Sequence, residues 1–191
     1  MERCVAINVF LRYKSVDSSV VFYDARWIMH YTLLPNSDID VLMQNKDKIG
    51  VKATPNRNIV LHIASQFGNK ECVPEILTMH QSLLCSVNSS GKFALHLAAK
   101  NGLYLVVLTL ISCATSLDAS ELESGVGAVK EMLRLTNEDR DTALYEIVRY
   151  NQFNVAEFLT KEDPEYSYAT NNDRETPLYI AVEGGFLELV K

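Results

Sequence analysis

Two histidines stand in matching strings, Leu61-His62-Ile63-Ala64 and Leu95-His96-Leu97-Ala98, and they are the first residues that invite a chemical reading. Imidazole serves as metal ligand and general base. These two, however, occupy the same phase of segments 34 residues apart, and no H-E-x-x-H places a second ligand on one helical face. Equivalent side chains of neighbouring packed helices are held about 8–10 Å apart, whereas both ligands of one zinc must lie about 2 Å from it. The expectation is structural, a hydrogen bond from each ring to the neighbouring turn. His30 and His80 have no second ligand at a suggestive spacing. Gly125-x-Gly127 lacks the third glycine of a dinucleotide loop and no G-K-[ST] follows, which leaves a flexible tip rather than a phosphate cradle. Asn88-Ser89-Ser90 is a glycosylation sequon that, in a chain read as cytosolic, is expected to be a turn. With no G-x-S-x-G nucleophile elbow either, the residues point to no catalysis, no metal and no cofactor.

Composition narrows the partners. Against 18 Lys and Arg stand 24 Asp and Glu, a net charge of -6, which repels a phosphate backbone and excludes nucleic acid. The longest apolar run, residues 103–114, is broken by Thr109 and Ser112 and is shorter than a spanning helix requires, so no membrane insertion by this chain itself is expected. At the N-terminus Arg3 precedes an apolar run, but Glu2, Asn8 and the missing A-x-A site argue against a signal peptide. Cys4, Cys72, Cys85 and Cys113 show no C-x-x-C spacing and are expected to be buried, reduced thiols. A cytoplasmic location follows from these expectations.

The elements that position the histidines emerge from self-similarity. Four segments superimpose on Leu61, Leu95, Leu144 and Leu178, with steps of 34, 49 and 34 residues. Seven residues after these anchors stand Gly68, Gly102, Asn151 and Gly185, the residue types that end helices in the left-handed conformation. Further on, Val73 and Ile76, Val106 and Leu110, and Val155 and Leu159 form the apolar stripe of a second helix. Seven before the anchors, Asn88, Asn137 and Asn171 open polar turns. Thr176 and Pro177 suit a helix start as cap and first residue, and Ala64, Ala98 and Ala181 let paired helices approach. A turn, a short helix, a stop and a second helix every 34 residues resembles the ankyrin repeat, whose T-P-L-H-x-A signature is nearly intact from Thr176 to Ala181. The fold class is therefore all-α, an ankyrin-repeat solenoid with hairpin-like turns.

The resulting division is an unassigned segment 1–35 and repeats over 36–191: a degenerate unit 36–53, clear units 54–87, 88–135 and 136–169, and an incomplete one, 170–191. The fifteen surplus residues of the second unit fall near 115–131, where an exposed acidic loop leading into a helix over 129–135 is expected. Tyr145 and Tyr179 replace the signature histidine and Ile147 the small alanine, which predicts looser packing in the third unit.

Within ankyrin proteins, Thr54-Pro55-Asn56-Arg57-Asn58, the inserted Glu123-Ser124-Gly125-Val126-Gly127-Ala128 with Met132-Leu133-Arg134, and Glu162-Asp163-Pro164-Glu165-Tyr166 resemble plant proteins of the accelerated-cell-death type. That resemblance implies an array followed by a membrane-embedded PGG domain, a truncation before that domain, repeats on the cytosolic side, and a link to defence and stress signalling. The function expected is to hold another protein without catalysis; the alternative is the cytosolic regulatory part of a PGG-type membrane signalling or transport protein. Partner contacts are expected on the concave surface, from Gln66, Lys100, Arg149 and Glu183 on the first helices and from Ser89, Lys92, Glu138, Arg140, Asn172 and Arg174 at the turns.

Overall fold

In a computed structural model of the chain, residues 53–118, 127–164, 166 and 169–190 are described. The segment 1–35 and the degenerate unit therefore lie outside the described residues. Nine α-helices follow in order: α1 Val60–Phe67, α2 Cys72–Met79, α3 Ala94–Lys100, α4 Tyr104–Asp118, α5 Ala128–Arg134, α6 Ala143–Arg149, α7 Phe153–Glu162, α8 Pro177–Glu183 and α9 Leu187–Val190. Among the described residues there is no strand. Helices α1, α3, α6 and α8 stack as one layer and α2, α4, α7 and α9 as the other, so that each unit leans on the next. No single pair of such short helices covers its own apolar face, and stacking is what closes the core.

Every first helix stops in the same way. Gly68, Gly102, Asn151 and Gly185 all take positive φ, between 52° and 82°. The residue after each returns its amide to the carbonyl of the conserved phase position: Asn69 to Ala64, Leu103 to Ala98, Gln152 to Ile147 and Phe186 to Ala181, at 2.9 to 3.0 Å. This 6→1 bond is the Schellman closure, and it explains why asparagine substitutes for glycine at the third stop. Before each helix the turn is closed by an asparagine. Asn88 Oδ1 accepts the amides of Ser90 and Lys92, Asn137 Oδ1 those of Asp139 and Asp141, and Asn171 Oδ1 those of Asp173 and Glu175, at 2.9 to 3.0 Å. In the first unit Thr54 Oγ1 does the same for Asn58 N at 3.1 Å.

The core runs through all described units. Ala64 and Ala98 are fully buried and Ala181 nearly so, and Ile147 in the alanine position is equally inaccessible. The looser third unit predicted from Ile147 and Tyr145 is not what forms: Tyr145 is the largest fully buried side chain, and its phenol fills the room that a histidine would leave.

A second correction concerns the insert. Helix α4 does not end near Thr115 but continues to Asp118. Its buried stripe of Val106, Val107, Leu110, Ile111 and Ala114 keeps helical phase, and Thr109, Ser112, Thr115 and Ser116 return their hydroxyls to carbonyls four residues back, so their polarity interrupts nothing. The surplus then folds back as α5, whose Met132 and Leu133 are buried, matching the helix expected over 129–135 to within a residue. Of the cysteines, Cys72 is buried and Cys113 half-buried, but Cys85 is exposed at the end of a 3₁₀ turn, Gln81–Cys85, contrary to expectation. Burial pushes both the Cys85 and Cys113 thiols up, which keeps them protonated and poorly nucleophilic. At the other end, Leu178, Tyr179, Val182, Leu187 and Val190 are all exposed and α9 buries none of its residues.

Candidate functional site: the turn edge and concave face

The turns join into a continuous edge. Ser89 N bonds Asn56 O at 2.9 Å, Glu138 N bonds Ser90 O at 3.4 Å, and Asn172 N bonds Asp139 O at 3.0 Å, so each tip is pinned to the one before it. Behind the edge the rings expected to reach the next turn do so. His62 Nε2 donates to Lys92 O at 2.9 Å while its Nδ1 accepts the amide of Ile59 at 3.3 Å, which fixes the tautomer. His96 Nε2 donates to Asp141 O at 2.9 Å. In the third unit the Tyr145 hydroxyl takes over this bond, reaching Glu175 O at 3.1 Å and also Ala169 O. Burial is the main cause holding both histidines below the usual imidazole value, so they are neutral struts and not bases. Among the described residues no group of His, Cys, Asp and Glu is arranged to hold a metal.

Of the ten residues expected to contact a partner, Ser89, Glu138, Arg140, Asn172 and Arg174 are exposed along the tip edge, and Glu183 is exposed at the end of α8. Asn172 also ties back through its side chain to Glu138 O at 3.0 Å. Gln66 is half-buried at the end of α1. Lys100, half-buried, lies over the Tyr150 ring with its nitrogen 4.7 Å from the centroid. Lys92 and Arg149 have intramolecular partners. Lys92 Nζ binds Glu146 Oε1, and Arg149 binds Asp141 as well as Glu175, the latter at 3.7 Å. Asp141 in turn accepts Asn171 Nδ2 at 2.9 Å, as Asn58 accepts Asn88 Nδ2 at 2.8 Å one interface earlier.

These ion pairs escaped the sequence reading, though one signal was present. Glu146 stands two residues after its anchor, where the other units carry Ile63, Leu97 and Ile180. A carboxylate at an apolar phase requires a partner. Arg134 and Asp163, bonded at 2.7 and 3.1 Å, carried no such signal, because one belongs to the insert and the other to the end of α7.

Three tips carry arginine at the same phase, Arg57, Arg140 and Arg174, each with φ between 56° and 65°, where Gly91 stands in the second unit. A Cβ on Gly91 would lie 2.8 Å from the amide nitrogen of Glu138, so glycine is sterically required there and an L-residue is accommodated at the others.

Comparison with known proteins agrees with this geometry. Residues 28–121 match the family described as ankyrin repeats (3 copies), a span that begins outside the described residues. Over 135 residues the chain is 36% identical to Protein ACCELERATED CELL DEATH 6 of Arabidopsis thaliana, covering 69% of this chain and 20% of that protein. Over 134 residues it is 27% identical to the Nuclear factor NF-kappa-B p105 subunit of Mus musculus, covering 69% of this chain and 12% of that one. The chain thus spans a fifth or less of the length of these relatives. Among the described residues no helix is long and apolar enough to cross a membrane. Repeat phase, turn closure and family match converge: the chain carries ankyrin repeats, modules of protein–protein interaction, and is built as an ankyrin-repeat solenoid.

Proposed function

We propose that the described units hold another protein along the tip edge and the adjoining face of the first helices, and that they do so without catalysis. The observation that carries this reading is the contrast between interior and edge. Inside, each unit repeats one closure, with ring to carbonyl and asparagine to turn; along the edge, equivalent positions differ in charge and size, as Ser89, Glu138 and Asn172 do. A rigid row of differing side chains suits recognition of one partner, because little ordering remains to be done on binding. Lys92 and Arg149, engaged internally, are proposed to shape the face while Ser89, Arg140 and Arg174 touch the partner.

The setting proposed is plant defence or stress signalling, supported by similarity to a protein named for accelerated cell death. A second reading keeps the repeats as the cytosolic regulator of a PGG-type membrane protein, and reading the gene beyond codon 191 for spanning segments separates the two. The interaction itself is tested with a photo-crosslinking residue placed at Ser89 or Arg174 on the edge, and at Thr78 on the exposed side of α2 as control. One and the same protein should be trapped from both edge positions and not from Thr78. Equal trapping from all three positions refutes the edge.

A further inference from the structure

Beneath the third tip lies a polar pocket of about 140 Å³, lined among others by Thr136, Arg140, Thr142, Tyr145, Tyr166 and Thr170. One feature of it is not explained by the fold. Thr142 is only 2% exposed, and its hydroxyl has no hydrogen-bond partner. The equivalent residue one unit later, Thr176, uses its hydroxyl to accept the Tyr179 amide at 3.2 Å. Thr142 makes no such bond to its own helix, and it lines the pocket. A buried hydroxyl without a partner is disfavoured unless something occupies the space it faces.

The rest of the lining says what that occupant is. Arg140 at the rim is exposed and makes no ion pair among the described residues. Its backbone holds φ at 63°, a conformation that is rarely populated without glycine and that is found at ligand-holding positions. The Tyr166 wall is backed by a second cation, Arg134, whose guanidinium lies 4.9 Å from the ring centroid. No carboxylate lines the pocket; Glu138 and Asp139, exposed on the same tip, are not part of it. A cation therefore has no ligand here, and an apolar group would leave the hydroxyls unpaired. A tetrahedral oxyanion has several acceptor oxygens for hydroxyls on different walls and a charge for the arginine.

We propose that this pocket binds a phosphate group, with Arg140 as its charge partner and the Thr142 hydroxyl as its buried donor. The group comes from free phosphate or from a phosphorylated side chain of a bound protein. The site is independent of the edge contacts proposed above, since loss of phosphate binding would leave crosslinking at Ser89 and Arg174 unchanged.

The test uses the full chain at constant ionic strength, with melting temperature and amide chemical shifts as readouts. Sodium phosphate, a phosphoserine peptide, the same peptide unphosphorylated, and sodium acetate are titrated separately. Phosphate should raise the melting temperature and shift the amides of residues 140–145, and acetate should do neither. Arg140→Gln and Thr142→Val should each weaken binding by tenfold or more, and Thr142→Val should melt higher than the parent in phosphate-free buffer. Arg140 is exposed, so its variant keeps the test open if Thr142→Val fails to fold. Response to free phosphate identifies a free anion as the ligand, and response to the phosphopeptide alone identifies a phosphorylated partner. Response to neither, equal response to acetate, or undiminished binding by Arg140→Gln overturns the proposal.

Discussion

Lys92 and Glu146 form a buried pair whose two members are not equivalent, and the difference sets the outcome of substituting each. The Glu146 side chain is 3% exposed, that of Lys92 21%. Lys92→Met strands a carboxylate among apolar residues, and breaking a buried pair from one side costs about 3–5 kcal/mol. Glu146→Leu leaves an ammonium on a four-carbon stem that already reaches solvent and can extend further. The new leucine meanwhile takes the phase of Ile63, Leu97 and Ile180, where full burial is worth about 1.5–3 kcal/mol and offsets the lost attraction. Glu146→Leu should therefore lie within about 1 kcal/mol of the parent.

The same site allows a stabilising combination. Asn137 Nδ2 is buried without a partner, because its counterpart in the preceding unit is Lys92, where the other interfaces supply Asn58 or Asp141 as acceptor. Lys92→Asn together with Glu146→Leu would restore that acceptor, remove an unsatisfied donor worth about 1–3 kcal/mol and eliminate the ion pair at once. Urea unfolding monitored by circular dichroism should rank Lys92→Met well below the parent, Glu146→Leu near it, and the double variant above it. Equal losses in the two single variants, or a double variant less stable than the parent, would refute the assignment of Glu146 to an apolar phase.

Other consequences are equally direct. His62 and His96 have folded-state values below 6.5, so the unfolded chain binds protons that the folded one does not; stability should be level above about pH 7 and fall as pH drops through 6.5, with Lys92, Asp141 and Glu146 facing His96 throughout. Melts that stay flat down to about pH 5 would mean the rings are not buried neutral. Ala98→Leu should cost about 1–3 kcal/mol through overpacking, whereas Lys100→Leu should cost no more than the about 0.5–1 kcal/mol of its contact with Tyr150; thermal melts of the two variants decide it. Because Leu178, Tyr179 and Val182 are exposed while residues 94–99 are buried, amides of residues 178–182 should exchange faster than those of residues 95–99. Comparable protection would show that the last unit is covered.

Legibility in the sequence followed periodicity. Helix stops, turn asparagines and the structural histidines recur four times or nearly so, and each recurrence constrains a backbone group that must be satisfied in every unit, which is why Gly68, Asn88 and His62 took their expected places. What occurs once was harder. Length alone located the insert, but it could not say that Ser112, Thr115 and Ser116 would stay helical, since back-bonding to the preceding turn makes a polar run compatible with helix. Charged positions on the concave face divided in a way type alone does not reveal: Lys92 and Arg149 face carboxylates of neighbouring units, while Arg140 and Arg174 face solvent.

The departures from periodicity gather at one junction. Between the second and third units lie the inserted α5, the Lys92 and Glu146 pair, the unpaired Asn137 amide and the Arg134 to Asp163 bridge that joins the insert to α7. Asp163 is 2% exposed, and Arg134 holds its carboxyl below the ordinary carboxylate value. In a solenoid each unit is stabilised only through its neighbours, so a junction that replaces apolar contacts and amide bonds with ion pairs shifts part of the array's cohesion from burial to charge. Stability there is present above the ordinary carboxylate value of 3.8 and is lost as pH falls through the lower folded value, a window separate from that of the histidines. Removing the bridge with Arg134→Met should uncouple the insert from the third unit, so that α5 exchanges its amides ahead of α3 and α6. If α5 instead keeps the protection of α3, Met132 and Leu133 hold it in place without the bridge, and burial still governs the junction.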